Sequence, residues 1–156
     1  MLFRFIGPLT GAGLLLSATL AHGLTVTCAP TKMKINVTTG TVSTNSTTFR
    51  AIPGTGITFT QGGTGPSCVI VRFSAASSVT GGGISHVEAV LDQVTTAEPG
   101  MVQFSGANVG SVSHAFEFLF PSVAPGSHTL RMFFKVNSSS HSVYVDERTT
   151  TIHHAP

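Results

Sequence analysis

Gly or Pro interrupts this chain roughly every 8 to 15 residues, and no segment longer than about ten residues carries the 3.6-residue period of an amphipathic helix. Short runs of alternating apolar and polar residues fill the intervals. Alternation places successive side chains on opposite faces of a strand, so each run covers one core and turns its other face to water. Many such runs with turn residues between them define an antiparallel all-β sandwich of about eight or nine strands. The expected strands are residues 33–38, 47–52, 57–61, 68–75, 86–92, 101–104, 113–120, 128–136 and 141–152. Val69, Val71 and Phe73 alternate with Cys68, Ile70 and Arg72, which is apolar on nearly both faces and suits a central strand.

The last third of the chain is patterned clearly enough to suggest a register. Phe116, Phe118 and Phe120 form one stripe; His128, Leu130, Met132 and Phe134 form another. A hairpin through residues 121–127 pairs Phe118 with Leu130 and sets Glu117 opposite Arg131. A second hairpin through residues 137–140 pairs Met132 with Val145 and brings Asp146 to Arg131 and Tyr144 to Phe133. The candidate binding group is therefore Glu117, Arg131, Asp146, Tyr144 and Phe133. An arginine between two carboxylates on a flat strand face, beside aromatic rings, suits hydrogen bonding to sugar hydroxyls. The same row also reads as a surface ion ladder, contributing at most about 1 kcal/mol per pair.

That row matters because charge is scarce. Only 9% of residues are charged, with 8 Lys and Arg against 6 Asp and Glu, while hydrophobic residues make up 41% and include 11 Phe. A surface made polar by Ser and Thr has neither the basic groove that nucleic acid requires nor a polybasic patch for anionic lipid. The apolar content is also too high for a disordered chain.

Residues 1–23 read as a secretory signal, with Arg4 before an apolar run over residues 9–20 and small residues at Ala21 and Gly23. The run is shorter than the roughly 20 residues that a membrane-spanning helix needs. Residues 24–156 then form one exported domain, secreted or periplasmic, with no membrane span after cleavage. In an oxidising compartment the two cysteines, Cys28 and Cys68, pair as a disulfide. Closing so long a loop contributes about 4 kcal/mol in the chain-entropy model.

His86, Glu88 and Asp92 share a strand face by their spacing, and are the best candidates for acid–base or metal chemistry. His114 and His128 fall at the ends of the apolar stripes, and His153 and His154 in a tail. No HExxH or GxSxG occurs, and Gly81 to Gly83 lack the lysine and the helix of a phosphate loop. No catalytic residue, metal or cofactor is assigned. Asn36, Asn45 and Asn137 begin tripeptides that fit N-glycosylation.

Two stretches carry a resemblance: ITFTQGGTGPSCVIVRF over Ile57 to Phe73, and SHAFEFLFPSVAPGSHTLRMFFKV followed by VYVDERTTTI over Ser113 to Ile152. Together they resemble a loose group of small secreted bacterial β-sandwich proteins. The second is also similar to the last strands of jelly-roll domains of the complement-globular-head and tumour-necrosis-factor type. The resemblance implies a jelly roll and is compatible with a homotrimer; no binding residue transfers from it. The function expected is an exported, non-catalytic binding or surface-interaction module for carbohydrate or protein. The alternatives are a small secreted hydrolase and a self-associating structural protein.

Overall fold

A computed structural model describes residues 25–106 and 110–156. The signal-peptide reading of residues 1–23 lies outside the described residues. The described chain folds into eleven strands: β1 (Lys32–Thr38), β2 (Val42–Thr44), β3 (Arg50–Ala51), β4 (Ile57–Gln61), β5 (Ser67–Val79), β6 (Ser85–Leu91), β7 (Thr95–Thr96), β8 (Val102–Ser105), β9 (Val112–Val123), β10 (Gly126–Val136) and β11 (Val143–His154). All the pairings between them are antiparallel. No described helix is long and apolar enough to cross a membrane.

Two sheets result. One runs β1-β11-β5-β9, with β2 also paired to β11; the other runs β3-β10-β6-β7, with β4 on β10 and β8 on β6. Three edge positions are each filled by two segments in succession: β1 and β2 beside β11, β3 and β4 beside β10, β7 and β8 beside β6. The segments therefore outnumber the expected eight or nine strands, while the positions they fill make two four-stranded layers. The chain changes sheet between β2 and β3, between β4 and β5, between β5 and β6, and at each step from β8 to β11. This is jelly-roll connectivity, and it confirms the expected all-β sandwich.

The two hairpins expected in the last third do not form. β9 pairs with β5, β10 with β6, β3 and β4, and β11 with β1, β2 and β5. Phe118 lies opposite Val71 and Met132 opposite Ala89. The apolar stripes hold for Phe118, Phe120, Leu130, Met132 and Phe134, which are all buried in one core, but Phe116, expected in the first stripe, is exposed. The stripes belong to different sheets that line the same core, so alternation indicates which residues are inside but not which strands are neighbours.

β5 has the central position its composition suggested. Val69, Val71, Phe73 and Ala75 face the core, and Cys68, on the other face, is bonded to Cys28. The disulfide ties the start of the described chain to the end of the sandwich where β5 begins.

β1 inverts the usual pattern. Its polar residues turn toward the opposite sheet: Lys34 Nζ donates to the Thr58 carbonyl at 2.8 Å, and Asn36 Nδ2 and Thr38 Oγ1 donate to the Gly54 carbonyl at 2.6 and 2.8 Å. These bonds close one side of the sandwich, and an inward lysine blunts the sheet edge against pairing with another strand. The Asn36 amide is thereby engaged, which sets it apart from the exposed Asn45 among the sequons.

Gly81 to Gly83 hold a side chain in place. A Cβ at Gly83 would sit 2.6 Å from His141 Cγ and 2.8 Å from its Cβ, and one at Gly81 would sit 2.8 Å from His141 Nδ1. The glycines let the β5–β6 turn close over the imidazole. Gly83→Ala is expected to destabilise the fold by about 1–3 kcal/mol through overpacking. In denaturant titrations the His141→Ala change should recover most of that loss; equal losses with and without His141 would rule out this contact.

Candidate functional site

The five residues expected to line up across adjacent strands are divided between the sheets. Glu117 on β9 and Tyr144 and Asp146 on β11 lie on the outer face of the β5 sheet; Arg131 and Phe133 on β10 lie on the outer face of the other sheet. The row of Glu117, Arg131 and Asp146 therefore does not form, because its register depended on the absent hairpins. Asp146 instead accepts a hydrogen bond from Thr41 Oγ1 at 3.0 Å, and Tyr144 stands exposed between Ser78 and Ser43. Arg131 runs along Gly56 and borders a shallow hollow of about 290 Å³ floored by residues 51–54. Phe133 sits between Ala51 and Glu88.

The pattern sought in the sequence occurs with a different arginine. On the outer face of the β5 sheet, Arg72 lies directly opposite Glu117. Three rows cross four strands there. Val37, Thr149, Ser74 and Ala115 form one, Ile35, Thr151, Arg72 and Glu117 the next, and Met33, His153, Ile70 and Leu119 the third. Glu98 extends the third row, held by two backbone hydrogen bonds of 2.8 Å with Leu119. Beside Leu119, Val26 and Cys28 of the N-terminal segment wall a cleft of about 390 Å³ that also includes Ile70, Glu98 and Glu117.

The β1 end of these rows was missed in the sequence. Met33, Ile35 and Val37 are 55%, 55% and 66% exposed. Alternation in KMKINVT locates them on one face but not whether that face is the core, and apolar residues were read as inward. The lysines between them carried the missing signal, since an edge strand can turn charged residues inward.

The proposed acid–base group is also divided. His86 and Glu88 stand side by side on the outer face of β6, where Lys135 faces His86 and Phe133 faces Glu88. Burial, helped by Lys135, holds the His86 imidazole below its ordinary pKa. Burial pushes the Glu88 carboxyl up, with Lys135 opposing it. Asp92 takes no part: in the turn after β6 it binds His128, with Oδ2 2.7 Å from the ring Nδ1. Although an Asp–His pair suggests a general base, His128 Nε2 faces the Ala124 carbonyl at 2.8 Å, and a base needs that nitrogen free. Among the described residues no three His, Cys, Asp or Glu side chains are grouped to hold a metal.

The other described histidines of the last third of the chain are built into the structure. His154, expected in a tail, is buried at the end of β11, its ring 5.1 Å from Phe59, and His153 pairs with Met33. The His114 ring packs 5.4 Å from Phe104.

No protein-family model matches the chain, and no curated protein matches it. Among solved structures it overlaps infectious bursal disease virus, Gt strain, with a TM-score of 0.44 at 12% identity over 90% of this chain and 36% of that one. A pentameric capsid protein from metagenomic phage sequences gives 0.29 at 18%, over 73% and 61% of the two chains. A family two carbohydrate esterase from Cellvibrio japonicus gives 0.29 at 15%, over 77% and 36%. The chain thus spans about a third of the viral chain's length, and overlaps of this size carry no function to it.

Replacing Lys135 with Met tests the electrostatics around β6. Removing the cation is expected to raise the pKa values of both His86 and Glu88, because it lowers each of them. An NMR titration in which either value falls would contradict the assigned surroundings.

Proposed function

We propose that the chain is an exported, non-catalytic binding module whose ligand, an extracellular carbohydrate or protein, docks on the outer face of the β5 sheet. The observation that carries this reading is the exposed row of Met33, Ile35 and Val37 on a strand whose polar residues are turned inward. Leaving three apolar side chains in water gives up about 0.8 kcal/mol for each CH₂ that burial would stabilise, and contiguous apolar surface marks interaction sites. Across the same face Arg72, Glu117, Thr151 and His153 supply donors and acceptors between the apolar ends. Apolar side chains along one edge of an open face that also carries polar groups suit surface recognition more than bond-making, which calls for a concave site.

The disulfide fits an oxidising compartment, in keeping with export. Separation of Asp92 from His86 and Glu88 takes away the geometry on which the hydrolase reading depended. The inward Lys34 on β1 weighs against self-association through that edge.

Glycan arrays and pull-downs on the mature chain test the reading with two variants. Met33→Ser/Ile35→Ser/Val37→Ser is expected to weaken binding at least about tenfold, the equivalent of 1.4 kcal/mol. Arg131→Ala, on the opposite face, should leave binding unchanged. A ligand lost with Arg131 and kept by the triple variant would place the site on the other sheet.

A further inference from the structure

Two residues, Ala124 and Pro125, join β9 to β10, and within them the chain leaves one sheet and enters the other. Backbone groups at so tight a crossing have no ladder to join and need other partners. His128 supplies one. Its Nε2 lies 2.8 Å from the Ala124 carbonyl oxygen and its Nδ1 2.7 Å from Asp92 Oδ2. A carbonyl and a carboxylate both accept hydrogen bonds, whereas a neutral imidazole has one N–H to donate. Only the doubly protonated ring satisfies both. The other oxygen of Asp92 accepts the Thr129 amide at 2.8 Å, which fixes the carboxylate against the start of β10.

Little else faces the ring. Phe59 on β4 lies opposite His128, with ring centroids 5.8 Å apart, and His154 on β11 packs against that phenyl ring. The crossing segment, residues 121–127, contains no titratable side chain, and the nearest charge along β10, Arg131, points to the other face of the strand. Among the described residues the His128–Asp92 contact is the ion pair at this end of the sandwich.

We propose that His128, Asp92 and the Ala124 carbonyl form a pH-operated latch on the sheet-to-sheet crossing, closed while the imidazole carries both protons and released at Ala124 when one leaves. The proton that remains stays on Nδ1, because a hydrogen bond to a charged acceptor is the stronger of the two. Nε2 then presents a lone pair to the Ala124 oxygen, and the two repel.

The electrostatics set the direction. Burial disfavours the charged ring, but the hydrogen bonds to Asp92 and Ala124 and the carboxylate charge outweigh it and hold His128 above its ordinary 6.5. Burial likewise pushes the Asp92 carboxyl up, and the Thr129 amide and His128 outweigh it to hold the group below its ordinary 3.8. The histidine's contribution is complete below 6.5 and is lost as pH rises through its folded-state value; the aspartate's is complete above 3.8 and is lost as pH falls through its own. The latch is closed in the mildly acidic window between them and opens on the alkaline side.

Amide hydrogen exchange on the mature chain, corrected for the intrinsic pH dependence of exchange, tests the latch at Val123, Ala124, Gly126 and Ser127. Protection at the crossing is expected to fall severalfold between about pH 5.5 and about 8.5, as the ring loses its second proton. The midpoint should coincide with that of the His128 ring resonances. Asp92→Asn is expected to move both midpoints together to lower pH, and His128→Gln to abolish the step. Protection that stays constant while His128 titrates overturns the proposal, as does a step that persists in His128→Gln. Should the glutamine variant fail to fold, a ring midpoint that moves in Asp92→Asn without the exchange midpoint has the same force.

Discussion

Two apolar stripes, Phe118 and Phe120 on β9 and Leu130, Met132 and Phe134 on β10, enter one core from opposite sheets, and the pairing of the other strands goes with that division. Strands that feed a core from opposite layers are not hydrogen-bonded neighbours. β9 therefore takes β5 as its partner and β10 takes β6. β5, with β11 on one side and β9 on the other, becomes the strand around which the first sheet is built. Cys68 near its start then anchors the N-terminal segment to that layer.

The connections bear the cost of this arrangement. A chain that changes sheet at every step from β8 to β11 must turn sharply where the layers meet. The remedies are local: the Ala124 carbonyl is bonded to a histidine, the His141 ring lies under two glycines, and Lys34, Asn36 and Thr38 reach from β1 to carbonyls of the opposite layer. Side chains that look like chemistry in the sequence, His128 and Lys34 among them, serve the backbone in this way.

Strand positions were legible because alternation is a local signal, and it located Ile57–Gln61 to the residue and the core residues of β5, β9 and β10 apart from the exposed Phe116. Strand pairing was not, because it depends on where the chain goes at each turn. Residues 121–127 look like a hairpin loop, yet β9 runs to Val123, β10 starts at Gly126, and the two residues between them cross layers. The jelly-roll likeness of the same stretch already argued against the hairpins, since that topology sends consecutive strands to opposite sheets. The candidate site inherited the error: Glu117 was placed beside Arg131 when its neighbour across the ladder is Arg72. β2 and β7, of three and two residues, carry too little pattern to be seen in the sequence.

Backbone NOEs between strands measure the division of β9 and β10 between the sheets most directly. The account predicts cross-strand NOEs between Val71 and Phe118 and between Ala89 and Met132, with no backbone NOEs between the β9 stripe and the β10 stripe. Backbone NOEs pairing Phe118 with Leu130, or Met132 with Val145, would restore the two hairpins and contradict the crossing of the chain between layers.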